Sequence, residues 1–545
     1  MRKSSQKLIT IVLALTLVLS LFLSGCGQDT TVGSKKYLRL AKDVDLESMD
    51  QHVATDELSF ESIAATIEGL NTLDKDGNII PAIALSDEVS DDGLTYTFRL
   101  REDAKWSNGD PVTAKDFVYS WRRLVDPKTA STYNFIMDVA GVKNAAKVVA
   151  GELPKEELGI EAIDEYILKV TLERPTPYFR SLTTFAPFFP LNEKFVTENG
   201  EKYALEPENL LANGPFKIVE WNKGYGYKLD KNPDYYDSKN IKIDGIEFRI
   251  IKDNQTAALK FESNELDVVK LSSELVDKYK SQPSFNQVSG GFTWYMSFNQ
   301  DKEIFNNVNV RKAISHAINK EHIANKILND GSVVADFFVP IGLSTGPDGK
   351  DFRETSGTYS KYDKELALEY WNKAKSELGK DNAEIEILFD DAESVKKISE
   401  FIQAELETNL PGLTVKLKAQ PKKNRLQLMR EGNFEVGITR WGPDYADPLT
   451  YLELFLSDSS QNTPNYSNQD YDKYVNDASR GKLAGDPEGR WEAMKEAEKI
   501  LLENDAVIAP IYQSGSALLI NPKVKGIENH SVGTTFIYKN VEINE

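Results

Sequence analysis

Between residues 440 and 449 the chain reads RWGPDYADPL, placing two carboxylates, Asp444 and Asp447, three residues apart among Trp441, Tyr445 and two prolines. Paired acids beside aromatics suit three chemistries: an acid/base couple of the glycosidase kind, a cation site, or a turn that caps a helix. Asp447 precedes Pro448 and the helix-like stretch PLTYLELF, so it reads as an N-cap with proline at the first helical position. A residue spent on a cap cannot share one scissile bond with its neighbour. Asp444 is left without a structural task.

Other chemistry is missing from the pattern. No GxSxG, no P-loop and no GxGxxG between a strand and a helix occurs. The four histidines, His52, His316, His322 and His530, include no pair with zinc-helix spacing. The stretch DKDGN at 74–78 puts Ile79 where a calcium loop needs glycine, so it reads as a β-turn. Cys26 is the only cysteine, which excludes a disulfide framework or a Cys-rich metal site. A net charge of -20 argues against a nucleic-acid partner, which calls for a clustered basic face. Neither a metal, a cofactor nor an enzymatic activity is expected.

The elements that must position Asp444 belong to a chain of 545 residues, 40% hydrophobic and 28% charged, which is ordinary for a globular protein of two or three domains. The text is mixed α/β. YTFRLRED at 96–103 alternates like a strand and leads into the turn WSNGDP. A helix follows, with Thr113 as N-cap, Asp116 three residues on, an inner face of Phe117, Trp121 and Leu124, and Pro127 as its stop. Further helices are predicted over 309–328 and 364–378. EIEILFD (384–390) and LTVKLKAQ (413–420) flank the helix ESVKKISEFIQAELETN, an order that predicts a parallel β-α-β crossover. GYGYK at 224–228 reads as a strand end. FNQVSGGFTWYMSFN (285–299), with its glycine pair, and DAVIAPIYQSGSALLI (505–520) read as two crossings between the same two lobes, and so predict a hinge.

The N-terminus has its own grammar. Arg2, Lys3 and Lys7 precede an apolar run from Leu8 to Leu23, short for a membrane span and fitting a signal-peptide core. LSGC at 23–26 matches a bacterial lipobox, which predicts lipidation of Cys26. The polar residues after it suit a flexible tether, holding the protein to the extracytoplasmic face of a cell membrane.

LREDAKWSNGDPVTAKDFVYSWRRLVDPKTAS, residues 100–131, closely resembles the oligopeptide-binding lipoproteins of ABC importers, the OppA type of extracellular solute-binding protein family 5. NGPFKIVEWNKG (213–224), FNNVNVRKAISHAINKE (305–321), RWGPDYADPLTYLELF (440–455) and NYSNQDYDKYV (465–475) match in the same order, so the likeness covers nearly the whole mature chain. It implies an α/β, two-lobed periplasmic-binding-protein-like fold (type II, cluster C) with an extra third domain. On this chain the implied parts are a signal peptide at 1–25, a tether at 26–36, a discontinuous first lobe at 37–75, 195–290 and 510–545, an extra domain at 76–194, and a second lobe at 291–509. The implied function is a monomeric receptor that captures oligopeptides in a closing cleft and delivers them to ABC transporter permease subunits. A dedicated receptor for one signalling peptide or a non-peptide solute is the alternative.

The family holds its peptide extended, as an added β-strand paired with protein backbone. By resemblance the paired segments are 44–48 and 440–442, with Arg440, Gly442, Asp45 and Glu47 contributing chiefly main-chain groups. Asp444 matches the aspartate that binds the peptide's α-amino group, and Trp441, Tyr445, Tyr133, Trp294, Tyr295 and Tyr512 are implied side-chain pocket walls. One departure stands out. The basic residues that meet peptide C-termini in well-known relatives align with Ile438 and Val395, while Arg440 occupies a position where those relatives carry a small residue. The sequence leaves open how the carboxylate end is held.

Overall fold

The computed structural model describes residues 35–544. The predicted signal peptide, Cys26 and most of the tether lie outside them. Among the described residues no helix is long and apolar enough to cross a membrane.

An eleven-stranded mixed sheet is the frame. Its order is Leu413–Gln420, Ala383–Asp390, Val436–Trp441, Phe285–Phe298, Ile508–Ile520, Val268–Lys270, Tyr37–Lys42, Gly245–Ile250, Gly226–Lys231 and Phe216–Asn222, with Val333–Val334 added beside Ile508–Ile520. The two long central strands, Phe285–Phe298 and Ile508–Ile520, pair antiparallel with each other. The early part of the first and the late part of the second sit in the half of the sheet that contains Val268–Lys270. Their other parts sit in the half that contains Val436–Trp441. Both predicted crossings are therefore real strands, and each belongs to both halves.

The ladder between them breaks between Ser289 and Thr293, where the register shifts. The glycines there are sterically required. A Cβ on Gly291 would lie 1.9 Å from the carbonyl oxygen of Ser531, and one on Gly515 would lie 2.3 Å from the backbone of Gly331. The gap leaves Gly290, Gly291 and Phe292 of one strand and Ser514 of the other without ladder partners, and such an interruption is where a sheet bends most easily.

The predicted crossover unit forms as expected: Ala383–Asp390 and Leu413–Gln420 run parallel in register, joined by the helix Glu393–Asn409. Lys364–Leu378 is a helix with Asp363 as N-cap and Gly379 in the left-handed conformation at its end. The single helix predicted over 309–328 is instead broken. Val308–His316 ends, Asn319 caps a new turn by accepting the amide of His322, and residues 323–328 continue with π-type bonding. The apolar period survived that break, but the capping chemistry of Asn319 did not show in it.

A separate four-stranded antiparallel sheet, ordered Ala84–Val89, Thr95–Leu100, Ile167–Thr171 and Ile160–Asp164, is covered by the helix Ala114–Val125. Phe117, Trp121 and Leu124 of that helix are fully buried, and the Asp116 carboxylate accepts the Thr113 amide at 2.7 Å. DKDGN is the turn of the hairpin Asn71–Leu73/Ile79–Pro81, and Gly224–Tyr225 tips the hairpin between Phe216–Asn222 and Gly226–Lys231.

Candidate functional site

A cavity of about 940 Å³ opens where the break in the long strands, the end of Val436–Trp441 and the segment around residue 45 converge. That volume suits a ligand of several residues rather than an ion. Asp444, Arg440, Trp441, Gly442, Asp45, Glu47, Tyr133 and Tyr295 all line it.

Val436–Trp441 pairs with Phe285–Phe298 along its whole length, from Phe298↔Val436 to Thr293↔Trp441. On its other side the ladder to Ala383–Asp390 stops at Leu388↔Gly437. From Ile438 to Trp441 the strand therefore has a partner on one side only, and Thr439, Arg440 and Trp441 lie against the cavity along that run. An edge of unpaired N–H and C=O groups is what an added strand needs. Gly442 follows because the chain turns over an aromatic ring: a Cβ there would be 2.3 Å from Phe292.

Pro443 stiffens the exit from this strand, and the Asp444 amide donates to Thr450 Oγ1 at 3.1 Å, which fixes the carboxylate's origin. Burial pushes the Asp444 carboxyl up to about 7, and its hydrogen bond with the Tyr133 hydroxyl offsets part of that rise. Tyr133 is itself wedged edge-on between Phe60 and Phe185, each ring centroid 5.5 Å away. Among the described residues no basic group pairs with this carboxyl, and such a group has the chemistry to accept an ammonium.

Asp447 has a different fate. Its carboxylate accepts the Leu449 amide at 3.1 Å and forms a bidentate pair with Arg490 at 2.8 and 3.1 Å, with both residues buried. The helix begins at Leu449, one residue later than expected, with Pro448 in the cap position. The stabilising contact to the first turn is nonetheless made. Arg490, 43 residues away, neutralises Asp447, so the two acids do not face one bond.

Three of the expected pocket walls are elsewhere. Trp294 and Tyr512 stack on each other, centroids 5.6 Å apart, and pack against the core of the half containing Val436–Trp441. Neither residue lines the cavity, whereas Phe292 and Tyr295, on the same strand as Trp294, do. Tyr445 is 2% exposed, stacked on Tyr178 at 4.4 Å, with its hydroxyl 3.3 Å from Glu453. Ile438 and Val395 are core residues, 1% and 3% exposed.

The segment 44–48 borders the cavity but is not a regular strand. The Asp45 carboxylate accepts the amides of Leu46 and, across the chain, of Gly224 at the hairpin tip. The Glu47 amide already donates to Ser59 Oγ at 3.2 Å, and its carboxylate accepts the Thr55 hydroxyl at 3.1 Å. Both acids therefore hold the segment's shape with their side chains, in addition to the chiefly main-chain roles that the resemblance implies. Sequence reasoning missed Phe292, Lys422 and Arg425, which also line the cavity. Nothing in their spacing marks them, because they meet the site only through the folding of a helix onto a strand.

Comparison with known proteins agrees with this geometry. The family model described as bacterial extracellular solute-binding proteins, family 5, matches residues 78–463. A dipeptide-binding protein of Lactococcus lactis is 34% identical over 539 residues, covering 96% of this chain and 97% of that protein. Among solved structures, Listeria monocytogenes OppA bound to peptide superposes with a TM-score of 0.82 at 40% identity, covering 94% of this chain and all of that one. The pheromone receptor PrgZ reaches the same TM-score at 33% identity over 94% of this chain and 100% of its own. The fold is thus the two-lobed mixed α/β arrangement of solute-binding proteins, and this chain belongs to the bacterial extracellular solute-binding proteins of family 5.

Proposed function

We propose that this protein is a peptide receptor of an ABC importer: it captures oligopeptides between two closing lobes and hands them to a permease. The observation that carries the reading is the half-laddered end of Val436–Trp441 running along the cavity and leading directly to Asp444. A bound peptide extends the sheet there through its backbone, which gives affinity for any sequence. Its α-ammonium pairs with the Asp444 carboxylate. Relatives are named as binding dipeptides or oligopeptides, one of them is a peptide complex, and these names support the same reading.

In this reading Cys26 carries a lipid that anchors the protein at the extracytoplasmic membrane face, and residues 26–36 are its tether. Residues 37–75, 195–290 and 510–545 form one lobe, 291–509 the other, and 76–194 the extra domain. The receptor works as a monomer and performs no catalysis. Native mass spectrometry of the purified mature protein, titrated with a random peptide pool and its N-acetylated copy, tests the function. Heterogeneous bound peptides, with the acetylated pool left free, are expected. One bound mass alone would instead mark a dedicated signal receptor, as the pheromone receptor among the similar structures suggests. Failure of every peptide to bind would overturn the reading.

A further inference from the structure

Tyr445 and Ala446, the two residues after Asp444, are held by a body other than the one their strand belongs to. The Tyr445 ring lies flat on that of Tyr178, centroids 4.4 Å apart and planes 18° from parallel. The Ala446 amide donates to Ser181 Oγ at 3.0 Å. At Asp447 the chain is taken up again by Arg490. Tyr178 and Ser181 belong to the unit built on the four-stranded sheet. They stand three residues apart at the helical turn Phe179–Leu182, so they are neighbours on one of its faces. Phe179 and Leu182, with the same spacing, are fully buried, and Phe179 packs on Tyr96 at 4.6 Å and on Trp121 at 6.3 Å.

The stack is tied at both ends. The Tyr178 hydroxyl donates to the Val139 carbonyl at 3.2 Å, and the Tyr445 hydroxyl donates to the Glu453 carboxylate at 3.3 Å. Tyr178, Ser181 and Tyr445 are all buried, and none of them lines the cavity, so none is placed to touch a ligand. Their effect on the site runs through the backbone. Adjacent Cα atoms are about 3.8 Å apart across a planar peptide, so a clamped Tyr445 fixes where Asp444 begins. Pro443 and the bond from the Asp444 amide to Thr450 restrain the other side.

We propose that Tyr178 and Ser181 are positioning residues for the ammonium site: acting through Tyr445 and Ala446, they hold the Asp444 carboxylate at the cavity wall. The proposal deepens the peptide-receptor reading and rests on it. It gives the four-stranded unit a task in recognition, since one body carries the carboxylate and another aims it. A group displaced by about 1 Å from its productive geometry forfeits much of its contact. Water entering a loosened site would also lower the Asp444 carboxyl toward its ordinary range, because burial is what holds it up. The ionisable groups facing that carboxyl are the hydroxyls of Tyr133, Tyr445 and Tyr451. Burial holds each well above the usual tyrosine range, so all three stay neutral.

Titration calorimetry of the mature protein with trialanine and hexaalanine, from pH 5 to 9, tests this. Tyr178→Ala is expected to weaken both peptides on the order of tenfold at pH 8. It should also move the acid fall in affinity, which lies near pH 7 in the parent, at least about one unit lower. Tyr178→Phe keeps the stack and loses only the hydroxyl, so it should stay within about threefold of the parent with the acid fall unmoved. Ser181→Ala should weaken binding about fivefold, as loss of one hydrogen bond predicts. A merely structural role would weaken binding equally at every pH, and that result would overturn the proposal. So would a folded Tyr178→Ala protein that binds within about twofold of the parent. Should Tyr178→Ala fail to fold, Ser181→Ala settles the matter, and unchanged affinity with an unmoved acid fall would overturn the proposal. In each of these cases N-acetylation that still abolishes binding leaves the role of Asp444 standing. A parent that binds neither peptide would overturn both this proposal and the receptor reading.

Discussion

Asp444 and Asp447 differ by three positions and by everything that surrounds them. Asp447 is a buried charge paired bidentately with Arg490, and removing one partner strands the other. Asp447→Asn should therefore cost about 3–5 kcal/mol in urea unfolding. Asp444 faces the opposite balance, since burial holds its carboxyl at about 7 and no cation answers it. Asp444→Ala is expected to weaken peptides with a free N-terminus by roughly 2–5 kcal/mol. The pH dependence follows from the same shift. In the empty cavity Asp444 is protonated below about 7, whereas a bound ammonium favours the carboxylate, so affinity should fall as pH drops through 7, by up to about tenfold per unit. Above about 8 the peptide's own amine deprotonates and affinity falls again. Calorimetry from pH 5 to 9 should show this bell, and Asp444→Asn should abolish its acid limb. The sign reverses for stability. Between about 4 and 7 the folded chain binds this proton and the unfolded chain does not, so ligand-free stability declines as pH rises through that window. At pH 8 the asparagine variant should accordingly melt higher than the parent by scanning calorimetry, while binding peptide worse.

At the scale of elements, the site depends on where ladders end. Val436–Trp441 is fully paired on one side and free beyond Gly437 on the other, and the long strands lose their mutual pairing between Ser289 and Thr293. Gly291 occupies that gap with no room for a methyl group, because the Ser531 carbonyl and the Pro443 ring close on it. Gly291→Ala should destabilise the fold by about 2 kcal/mol or more in chemical denaturation, and should also weaken peptide binding, since Pro443 leads into Asp444. The glycine pair was visible in the sequence within a strand-like crossing. What it interrupts against, a distant serine carbonyl and a proline, was not.

Across the whole molecule, two strands carry the chain between the halves of one sheet, and the cavity lies at their break. If both strands bend at that break, a closing motion is expected and a shearing one is not. Small-angle scattering should therefore show the radius of gyration contracting when a saturating free-N-terminus peptide is added, and not when its acetylated copy is. An unchanged profile with bound peptide would mean that the lobes are already closed without ligand. The exposed pair of Lys397 with Glu274 joins the helix Glu393–Asn409 to the helix Ser273–Tyr279. As a solvated ion pair it contributes no more than about 1 kcal/mol, so Lys397→Gln should change affinity by less than about fivefold, with the difference vanishing in high salt.

What the sequence determined by itself is local and periodic. Thr113 and Asp116 at capping spacing, the β-α-β order of 384–420, the turn at DKDGN and the glycine pair of 290–291 each depend on neighbours within a few residues, and short-range geometry sufficed to read them. Resemblance in RWGPDYADPL carried the reading further, to Asp444 as the ammonium site, and the structure places that residue on the cavity wall. Tertiary structure alone decided the rest. Trp294, Tyr445 and Tyr512 were as aromatic as Tyr133, yet none lines the cavity, because Trp294 and Tyr512 stack on each other and Tyr445 stacks on Tyr178. Arg490 came to Asp447 and Tyr133 to Asp444 from far along the chain, and no spacing rule connects them. Long-range electrostatic partners are chosen by how helices and strands pack, and packing is a property of the folded whole.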